Sequence, residues 1–224
     1  MKVLHAVGVD GARSAVGVVV VIDVLRAFTV SAYALAGGAR ECLLVGTVDE
    51  ARAVAAEAPG AIISAEVDTL PVEGIPISNS PTQIVEAELR GHAVVQRTSA
   101  GTQAIRAVTN AEAMYAASLV VARATAQACL IRRPQTVTLV ASGDFPEDHA
   151  CARYIEALMR GEDEDVSQLL QALISSERYE KFARGDWPGF PKSDLDLALA
   201  TDRFDFAMAA TKDERWVRLT SERA

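Results

Sequence analysis

Residues 17–22, which read Gly-Val-Val-Val-Val-Ile, constrain the fold of this chain more than any other stretch. A run this short, apolar and β-branched is typical of a strand buried on both faces, as in a parallel sheet. The run ends at Asp23, and Arg26 follows at the head of a helix-prone segment. Ligands of open α/β sheets bind beyond the carboxyl ends of strands, so Asp23 is a candidate metal ligand and Arg26 a candidate phosphate or carboxylate ligand. The alternative is that Asp23 only caps the next helix and that Arg26 pairs with it.

Apolar runs and helix-prone segments alternate along the rest of the chain. Strands are expected at 3–8, 17–22, 41–46, 61–65, 92–96, 112–117 and 136–141, with turns or loops at 10–13 and 66–80. Helices are expected at 26–36, 48–58, 81–90, 103–108, 119–132, 148–160, 166–174 and 193–200. The strand–helix–strand–helix–strand order over 17–65 predicts an α/β protein with a largely parallel sheet and right-handed crossovers. Thr47 with Glu50, and Ser80 with Pro81, are typical of helix N-termini.

The domain organisation follows from what separates these elements. No segment is rich enough in Gly, Ser or Pro to act as a linker, so one domain over 1–224 is expected. The order strand, acidic loop, helix at 17–36 recurs at 136–160, which suggests a duplication of halves at about 1–110 and 111–224. Segments 204–210 and 215–220 are expected to form a terminal hairpin or an oligomer contact.

Charge and composition exclude several classes of function. The net charge of −8 argues against a nucleic-acid partner, because the basic footprint is missing. Half of the residues are hydrophobic, yet no apolar run approaches the roughly 20 residues of a spanning helix. The three cysteines, Cys42, Cys129 and Cys151, are distant in the chain and odd in number, which favours buried thiols in a reducing compartment. With no signal peptide recognised, we expect a cytoplasmic protein without a membrane partner.

Polar loops follow four of the predicted strands. They carry Asp23 with Arg26, Glu66 with Asp68, the segment 97–102, and Asp144 with Glu147 and Asp148. Three of the loops supply carboxylates, and Mg²⁺ takes oxygen ligands, usually one or two carboxylates with water and substrate phosphate. The fourth supplies hydroxyls and Gly101 ahead of a helix, where backbone N–H groups suit an anion. The set predicts a phosphate site with a metal, although each residue taken singly is also explained as a helix cap or a loop charge.

Several motifs identify a family when they are taken in order. They are Val20-Val21-Ile22-Asp23-Val24-Leu25-Arg26-Ala27, Asn79-Ser80-Pro81, Thr98-x-x-Gly101-Thr102 and Glu147-Asp148-x-x-Cys151-Ala152. Together they resemble the 2-phosphosulfolactate phosphatases over about residues 18–210. The resemblance implies a three-layer α/β fold and a magnesium-dependent acid phosphatase. It also implies hydrolysis of (2R)-2-phospho-3-sulfolactate to 3-sulfolactate and phosphate, a step toward coenzyme M.

The residues that carry this function are assigned from the loops and the resemblance together. We expect Asp23, with Glu66 or Asp148, to hold Mg²⁺, which polarises the phosphoryl group and activates a water. Asp148 or Glu147 is the candidate general base, and Arg26 completes the catalytic set. The expected substrate-binding residues are Arg97, Ser99, Gly101, Thr102, Asn79 and Ser80. The partner is a small anionic phosphoester, and a homodimer is a further expectation.

Three positions depart from the family's pattern. The usual acid before Asn79 is absent, the usual Asn before Gly101 is Ala100, and the usual Gly-Glu-Arg after the third strand is Ala65-Glu66-Val67. These departures favour the alternative function, a non-catalytic or re-purposed binding module of the same fold that holds an anionic metabolite. A relative that acts on a different phosphoester is equally consistent with them.

Overall fold

The computed structural model describes residues 1–185 and 187–223. The strands are β1 Lys2–Val7, β2 Val18–Ile22, β3 Glu41–Leu44, β4 Ile62–Val67, β5 Leu70–Pro71, β6 Ala93–Arg97, β7 Ala113–Ala117, β8 Thr136–Ala141, β9 Ala207–Lys212 and β10 Val217–Glu222. The helices are α1 Gly8–Ser14, α2 Ala27–Ala36, α3 Val48–Glu57, α4 Pro81–Val85, α5 Gly101–Ala107, α6 Ala122–Ile131, α7 Pro146–Arg160, α8 Val166–Leu169, α9 Gln171–Ile174, α10 Glu177–Arg184 and α11 Ser193–Ala198. A 3₁₀ turn, Leu119–Val121, precedes α6.

All ten strands belong to one sheet in the order β1-β8-β2-β7-β9-β10-β3-β6-β4-β5. β1, β8, β2 and β7 form one parallel group, and β3, β6 and β4 form a second. The hairpin of β9 and β10 lies between the two groups and pairs antiparallel with β7 and β3. The expected terminal hairpin is therefore confirmed, and it occupies the middle of the sheet rather than an edge.

The hairpin reverses the strand direction, so the two parallel groups run oppositely along the sheet. Five strand-to-strand steps separate β2 from β6. A twist of about 20–25° per step accumulates to roughly 100–125°, which turns the carboxyl ends of the two groups toward each other. The ends do meet: Gln96 Nε2 in β6 donates a hydrogen bond of 2.8 Å to the carbonyl of Ala27, just beyond β2. This convergence brings the polar loops together.

Helices cover both faces of β2, which gives three layers. Val19 and Val21 pack in one apolar cluster with α2 and α5, whereas Val18, Val20 and Ile22 pack in the other with α6 and α7. The five side chains are almost fully buried. The continuous apolar run in the sequence thus has its expected cause, because alternate side chains of a strand point to opposite faces and both faces are covered. The α/β fold with a mostly parallel sheet is confirmed.

Several predicted elements are corrected. Residues 10–13 belong to α1 rather than to a turn, and the loop 66–80 contains β5. α4 ends at Val85 instead of Arg90, the stretch 166–174 is divided into α8 and α9, and α10 was not predicted. β2, β3 and β4 are not neighbours, because β7, β9 and β10 separate β2 from β3 and β6 separates β3 from β4. Strands from both sides of residue 110 pair with each other, and the duplication stays a prediction.

The three cysteines are buried and unbridged, as expected. Burial raises the pKa of Cys42 and of Cys129 to about 12, and it raises the pKa of Cys151 well above its ordinary value. The thiols are accordingly packed as small apolar side chains. Among the helices that the structure describes, none combines the length and apolar character needed to cross a membrane.

Candidate active site

Asp23 stands directly after the central strand β2 and is only 5% exposed. Its backbone N–H continues the sheet by donating to the Ala117 carbonyl at 3.1 Å. Its Oδ1 accepts a bond of 2.9 Å from the N–H of Ala27, the first residue of α2. Asp23 thus satisfies one free N–H of the helix, as the capping alternative states, while its other oxygen faces the hydroxyl of Ser142.

Asp148, in the first turn of α7, lies beside Asp23. Its Oδ1 accepts from Val24 N–H at 2.8 Å. The hydroxyl oxygen of Ser142 lies between the two acids, 3.0 Å from Asp148 Oδ2 and 3.2 Å from Asp23 Oδ2. A hydroxyl has a single proton to donate, so it satisfies two ionised carboxylates only in part. The arrangement favours a shared proton or a bound cation between the acids.

The electrostatics of this pair agree with the geometry. Burial raises the pKa of Asp23 to about 6, with smaller contributions from the charges of Glu66 and Glu147. Burial also raises the pKa of Asp148 well above its ordinary value, and the neighbouring Asp23 charge raises it further. Neither acid forms an ion pair with a Lys, Arg or His among the described residues. Buried charges without a partner are costly, so this acid pair calls for a counter-charge.

Glu147 adds a third buried carboxyl group next to the pair. Its Oε1 accepts from Arg178 Nε at 3.1 Å, in an ion pair whose acid is fully buried. Its Oε2 is buried and has no hydrogen-bond partner within residues 1–185 and 187–223. A buried acceptor of this kind is an exception in folded proteins, and it provides an open position for a proton, a water or a cation.

Arg26 is held by residues far along the chain rather than by Asp23. Its Nη1 donates to Asp194 Oδ2 at 2.7 Å and to the Gly189 carbonyl at 2.6 Å. The guanidinium carbon also lies 3.9 Å from the centre of the Phe190 ring. The pairing predicted by the capping alternative is therefore wrong. The remaining N–H groups of the fixed guanidinium are available to an oxyanion, because Arg26 lines the cavity described below.

Ser80 contacts Asp194, the residue that holds Arg26. Its hydroxyl donates to Asp194 Oδ1 at 2.8 Å, and the N–H of Thr82 donates to the same oxygen at 3.0 Å. Ser80 also caps α4 by accepting from Gln83 N–H, as the sequence predicts. It is fully buried and lies outside the cavity lining. These contacts position Asp194, and through it Arg26, and the substrate-binding role expected for Ser80 stays a prediction.

Glu66 organises two loops at the other wall. Its carboxylate accepts from Ser99 N–H and Thr69 N–H, both at 2.6 Å, and from Ser99 Oγ at 3.1 Å. The Ser99 hydroxyl in turn accepts from Asp68 N–H at 2.8 Å. Arg97 donates to the carbonyl of Glu66 and to that of Gly46, and it does not line the cavity. Arg97 thus positions the backbone of Glu66, whose carboxylate accepts from backbone N–H groups, and the anion contact expected for Arg97 stays a prediction.

Gly101 and Thr102 are also structural neighbours of the site. A Cβ atom at Gly101 would lie 2.5 Å from Asp23 Oδ2 and 2.9 Å from Ala27 Cβ, so only glycine leaves room for the acid. Thr102 Oγ1 donates to the Thr98 carbonyl at 2.7 Å and is fully buried. Both residues lie outside the cavity lining, and their expected contact with substrate stays a prediction.

Asn79 does line the cavity, as expected. Its Oδ1 accepts from Gln96 Nε2 at 3.2 Å, and Gln96 is oriented by the Ala27 carbonyl and by the Ser31 hydroxyl. These hydrogen bonds fix the amide of Asn79 and leave its Nδ2 as the group able to donate to a ligand.

The cavity enclosed by these groups measures about 360 Å³. It is lined by Asp23, Leu25, Arg26, Glu66, Asp68, Thr69, Asn79, Ser99, Ala100, Phe145, Arg178, Phe182 and Phe190. Asp148 and Glu147 lie behind Asp23 rather than in the wall. The sequence reasoning missed Ser142, Arg178, Asp194 and the three phenylalanines. Only Ser142 carried a signal, since it directly follows a predicted strand.

The donor set fits a hard divalent cation at the acid pair. Asp23 and Asp148 supply carboxylate oxygens of the kind that Mg²⁺ binds, and their charges lack a counter-ion. Three or more His, Cys, Asp or Glu side chains do not surround one point anywhere in the described part of the chain. The expected metal ligands, Asp23 with Glu66 or Asp148, stay a prediction, and Asp148 is the acid that Ser142 connects to Asp23.

Buried acids under a cavity with fixed guanidinium groups define a site for an anionic substrate on an α/β scaffold. A sequence model described as 2-phosphosulpholactate phosphatase matches residues 8–211. A probable 2-phosphosulfolactate phosphatase of Bacillus subtilis (strain 168) is 32% identical over 200 residues, or 87% of each chain. Proteins of the same description from Symbiobacterium thermophilum and Carboxydothermus hydrogenoformans are each 33% identical, over 74% and 71% of this chain and 73% and 67% of their own. The chain belongs to the 2-phosphosulfolactate phosphatase family, whose named members are phosphoric monoester hydrolases.

Proposed function

We propose that this protein hydrolyses a small anionic phosphomonoester, with 2-phosphosulfolactate as the substrate and 3-sulfolactate and phosphate as the products. The observation that carries this proposal is the buried pair of Asp23 and Asp148, bridged by Ser142 at the base of a cavity that also exposes Arg26. The names of the relatives supply the substrate, and the intact acid pair favours a catalytic protein over a binding module.

The chain's own residues have separable tasks. Asp23 and Asp148 would hold Mg²⁺, which when bound would supply Lewis-acid stabilisation of the charge on the phosphoryl group. Arg26, fixed by Asp194, binds phosphoryl oxygens with its free N–H groups. Glu147 is the best placed general base, because its Oε2 is an open acceptor next to the acid pair. Asn79 orients the substrate by donating from Nδ2.

A fixed arrangement of this kind lowers the barrier mainly by positioning. The N–H donors and carboxylates are held by α2, α7 and Asp194 of α11, so little reorganisation accompanies the reaction. Phe145, Phe182 and Phe190 exclude water from one side of the cavity, which strengthens each charge interaction inside it.

The test is phosphate release from 2-phosphosulfolactate and from a panel of phosphomonoesters, with Mg²⁺ and with EDTA. Turnover that requires the metal is expected, and Asp23→Asn and Asp148→Asn should each abolish it while the fold is retained. Asp163→Asn, an equivalent change at an exposed position, is the matched control and should keep full activity. Absence of metal-dependent release across the panel would instead favour the binding module.

Two further expectations belong with this proposal. A homodimer stays a prediction, to be checked by the mass of the protein in solution. Cytoplasmic location likewise stays a prediction, to be checked by fractionation of the source cells.

A further inference from the structure

The helix α10 covers one side of the cavity with two side chains that share a face. Arg178 and Phe182 are four residues apart, the spacing that places side chains on the same side of a helix, and both line the cavity. Beyond α10, Trp187 Nε1 donates to Thr69 Oγ1 at 3.0 Å and the Gly189 carbonyl accepts from Ser78 Oγ at 3.0 Å. The cover is therefore fastened to the loops of the second strand group.

The guanidinium of Arg178 is held in place, but several of its N–H donors have no acceptor within the described residues. Its Nε binds Glu147, and its central carbon lies 4.2 Å and 4.9 Å from the ring centres of Phe145 and Phe182. No second acceptor for Arg178 is found within the described residues. An arginine has five N–H donors, so several stay available on the cavity side. The aromatic rings remove water from the planar cation without pairing those donors.

The two arginines of the cavity belong to one aromatic assembly. Arg26 lies on the Phe190 ring, Phe190 stacks on Phe182 with 3.9 Å between ring centres, and Arg178 lies near Phe182. Stacking holds the two cations at a constant separation, so the cavity presents two anion-binding groups and not one. Arg178 is held by Glu147 of α7 at 3.1 Å, whereas Arg26 follows Asp23 by three residues at the end of β2. We therefore assign the phosphoryl group to Arg26, the cation that shares a strand end with Asp23.

We infer that Arg178 is a specificity-determining residue that binds a second anionic group of the substrate, a sulfonate or carboxylate, while Arg26 binds the phosphoryl group. This inference rests on the proposed phosphatase function. Arg178 would make the enzyme selective for phosphoesters that carry another negative charge near the ester carbon. This selectivity would then come from α10, which lies outside the strand-end loops.

The test compares two phosphoesters that differ at one group. 2-Phosphoglycolate carries a carboxylate where ethyl phosphate carries a methyl group. The wild-type kcat/KM should favour 2-phosphoglycolate, and Arg178→Gln should reduce that preference by roughly 10- to 100-fold, the range for a charge-assisted hydrogen bond. Comparing the ratio between variants cancels the difference between the leaving groups. Arg178→Lys, which keeps the charge but loses the planar fork, should retain an intermediate preference and replaces the Gln variant if that one does not fold.

A control and a binding measurement separate the possible outcomes. Arg184→Gln removes an exposed arginine of the same helix and should leave the ratio unchanged. Equal losses on both substrates in Arg178→Gln would overturn the inference, because Arg178 would then only support Glu147, and the phosphatase function would stand. If the wild type hydrolyses neither ester, calorimetry with sulfoacetate decides. Binding that weakens at least about 10-fold in Arg178→Gln supports the anion site without the phosphatase. Undetectable binding, or equal binding by both proteins, overturns it.

Discussion

Replacing Asp23 by asparagine should stabilise the metal-free protein at neutral pH although it abolishes turnover. Burial raises the pKa of Asp23 from 3.8 to about 6, so the folded protein holds this proton more tightly than the unfolded chain does. Ionisation of Asp23 therefore destabilises the fold as the pH rises through this interval. One pKa unit corresponds to about 1.4 kcal/mol, which makes the full penalty about 3 kcal/mol above pH 6. A cation bound at this site, as proposed above, would remove this penalty by supplying the missing counter-charge.

Asparagine keeps the contacts and removes the charge. Its Oδ1 can still accept from Ala27 N–H, and its amide can donate to the Ser142 hydroxyl in place of the present acceptor. Urea unfolding in EDTA should show a gain of about 1–3 kcal/mol for Asp23→Asn at pH 8, because coupling to Asp148 shares part of the penalty. The gain should shrink to about 0.5 kcal/mol near pH 4, where the wild-type acid is protonated in the folded protein but only about two-fifths protonated in the unfolded chain.

The matched control is Asp163→Asn, which removes an exposed carboxylate and should change stability by less than about 0.5 kcal/mol at either pH. Equal stability of wild type and Asp23→Asn at pH 8 would refute the reasoning. So would a gain of the same size at pH 4 and pH 8, since a charge effect must disappear with the charge. Adding Mg²⁺ should stabilise the wild type more than the variant, by mass action on the folded state.

Three other changes test the surroundings of the acid pair. Gly101→Ala places a methyl group against the Asp23 carboxylate, so kcat should fall by about 100-fold or more. A normal kcat would contradict the close approach of Gly101 to Asp23. Asp194→Asn removes the charge that faces Arg26, so urea unfolding should show a free energy of unfolding lower by about 3–5 kcal/mol, and KM should rise. An unchanged urea midpoint would contradict the ion pair between Arg26 and Asp194. Iodoacetamide at pH 8 should leave all three thiols unmodified in the folded protein and alkylate all three in urea, as read by mass spectrometry, because their burial raises each pKa.

The sequence by itself determined the features that a few neighbouring residues encode. The run at 18–22 gave a strand buried on both faces, and Thr47 with Glu50 forms the expected capping box. Asp23 directly follows the β-branched run, so its position at the end of β2 is readable from the sequence. The motifs were enough to identify the family, because each is a short segment whose residues can be recognised without knowledge of the fold. Hydrophobic period and helix caps act over one or two turns, so one sequence suffices to read them.

The tertiary structure alone decided which loops meet and which charges pair. The order of strands depends on the insertion of the β9–β10 hairpin, which no local pattern announces, and the accumulated twist then brings oppositely directed strand ends together. Arg26 and Asp194 are 168 positions apart, and Ser80 binds the same acid across 114 positions. Arg178 lies in α10, a helix that was not predicted from the sequence. Partners so distant in the chain are chosen by packing and desolvation in the folded protein, and neither leaves a periodicity in the sequence.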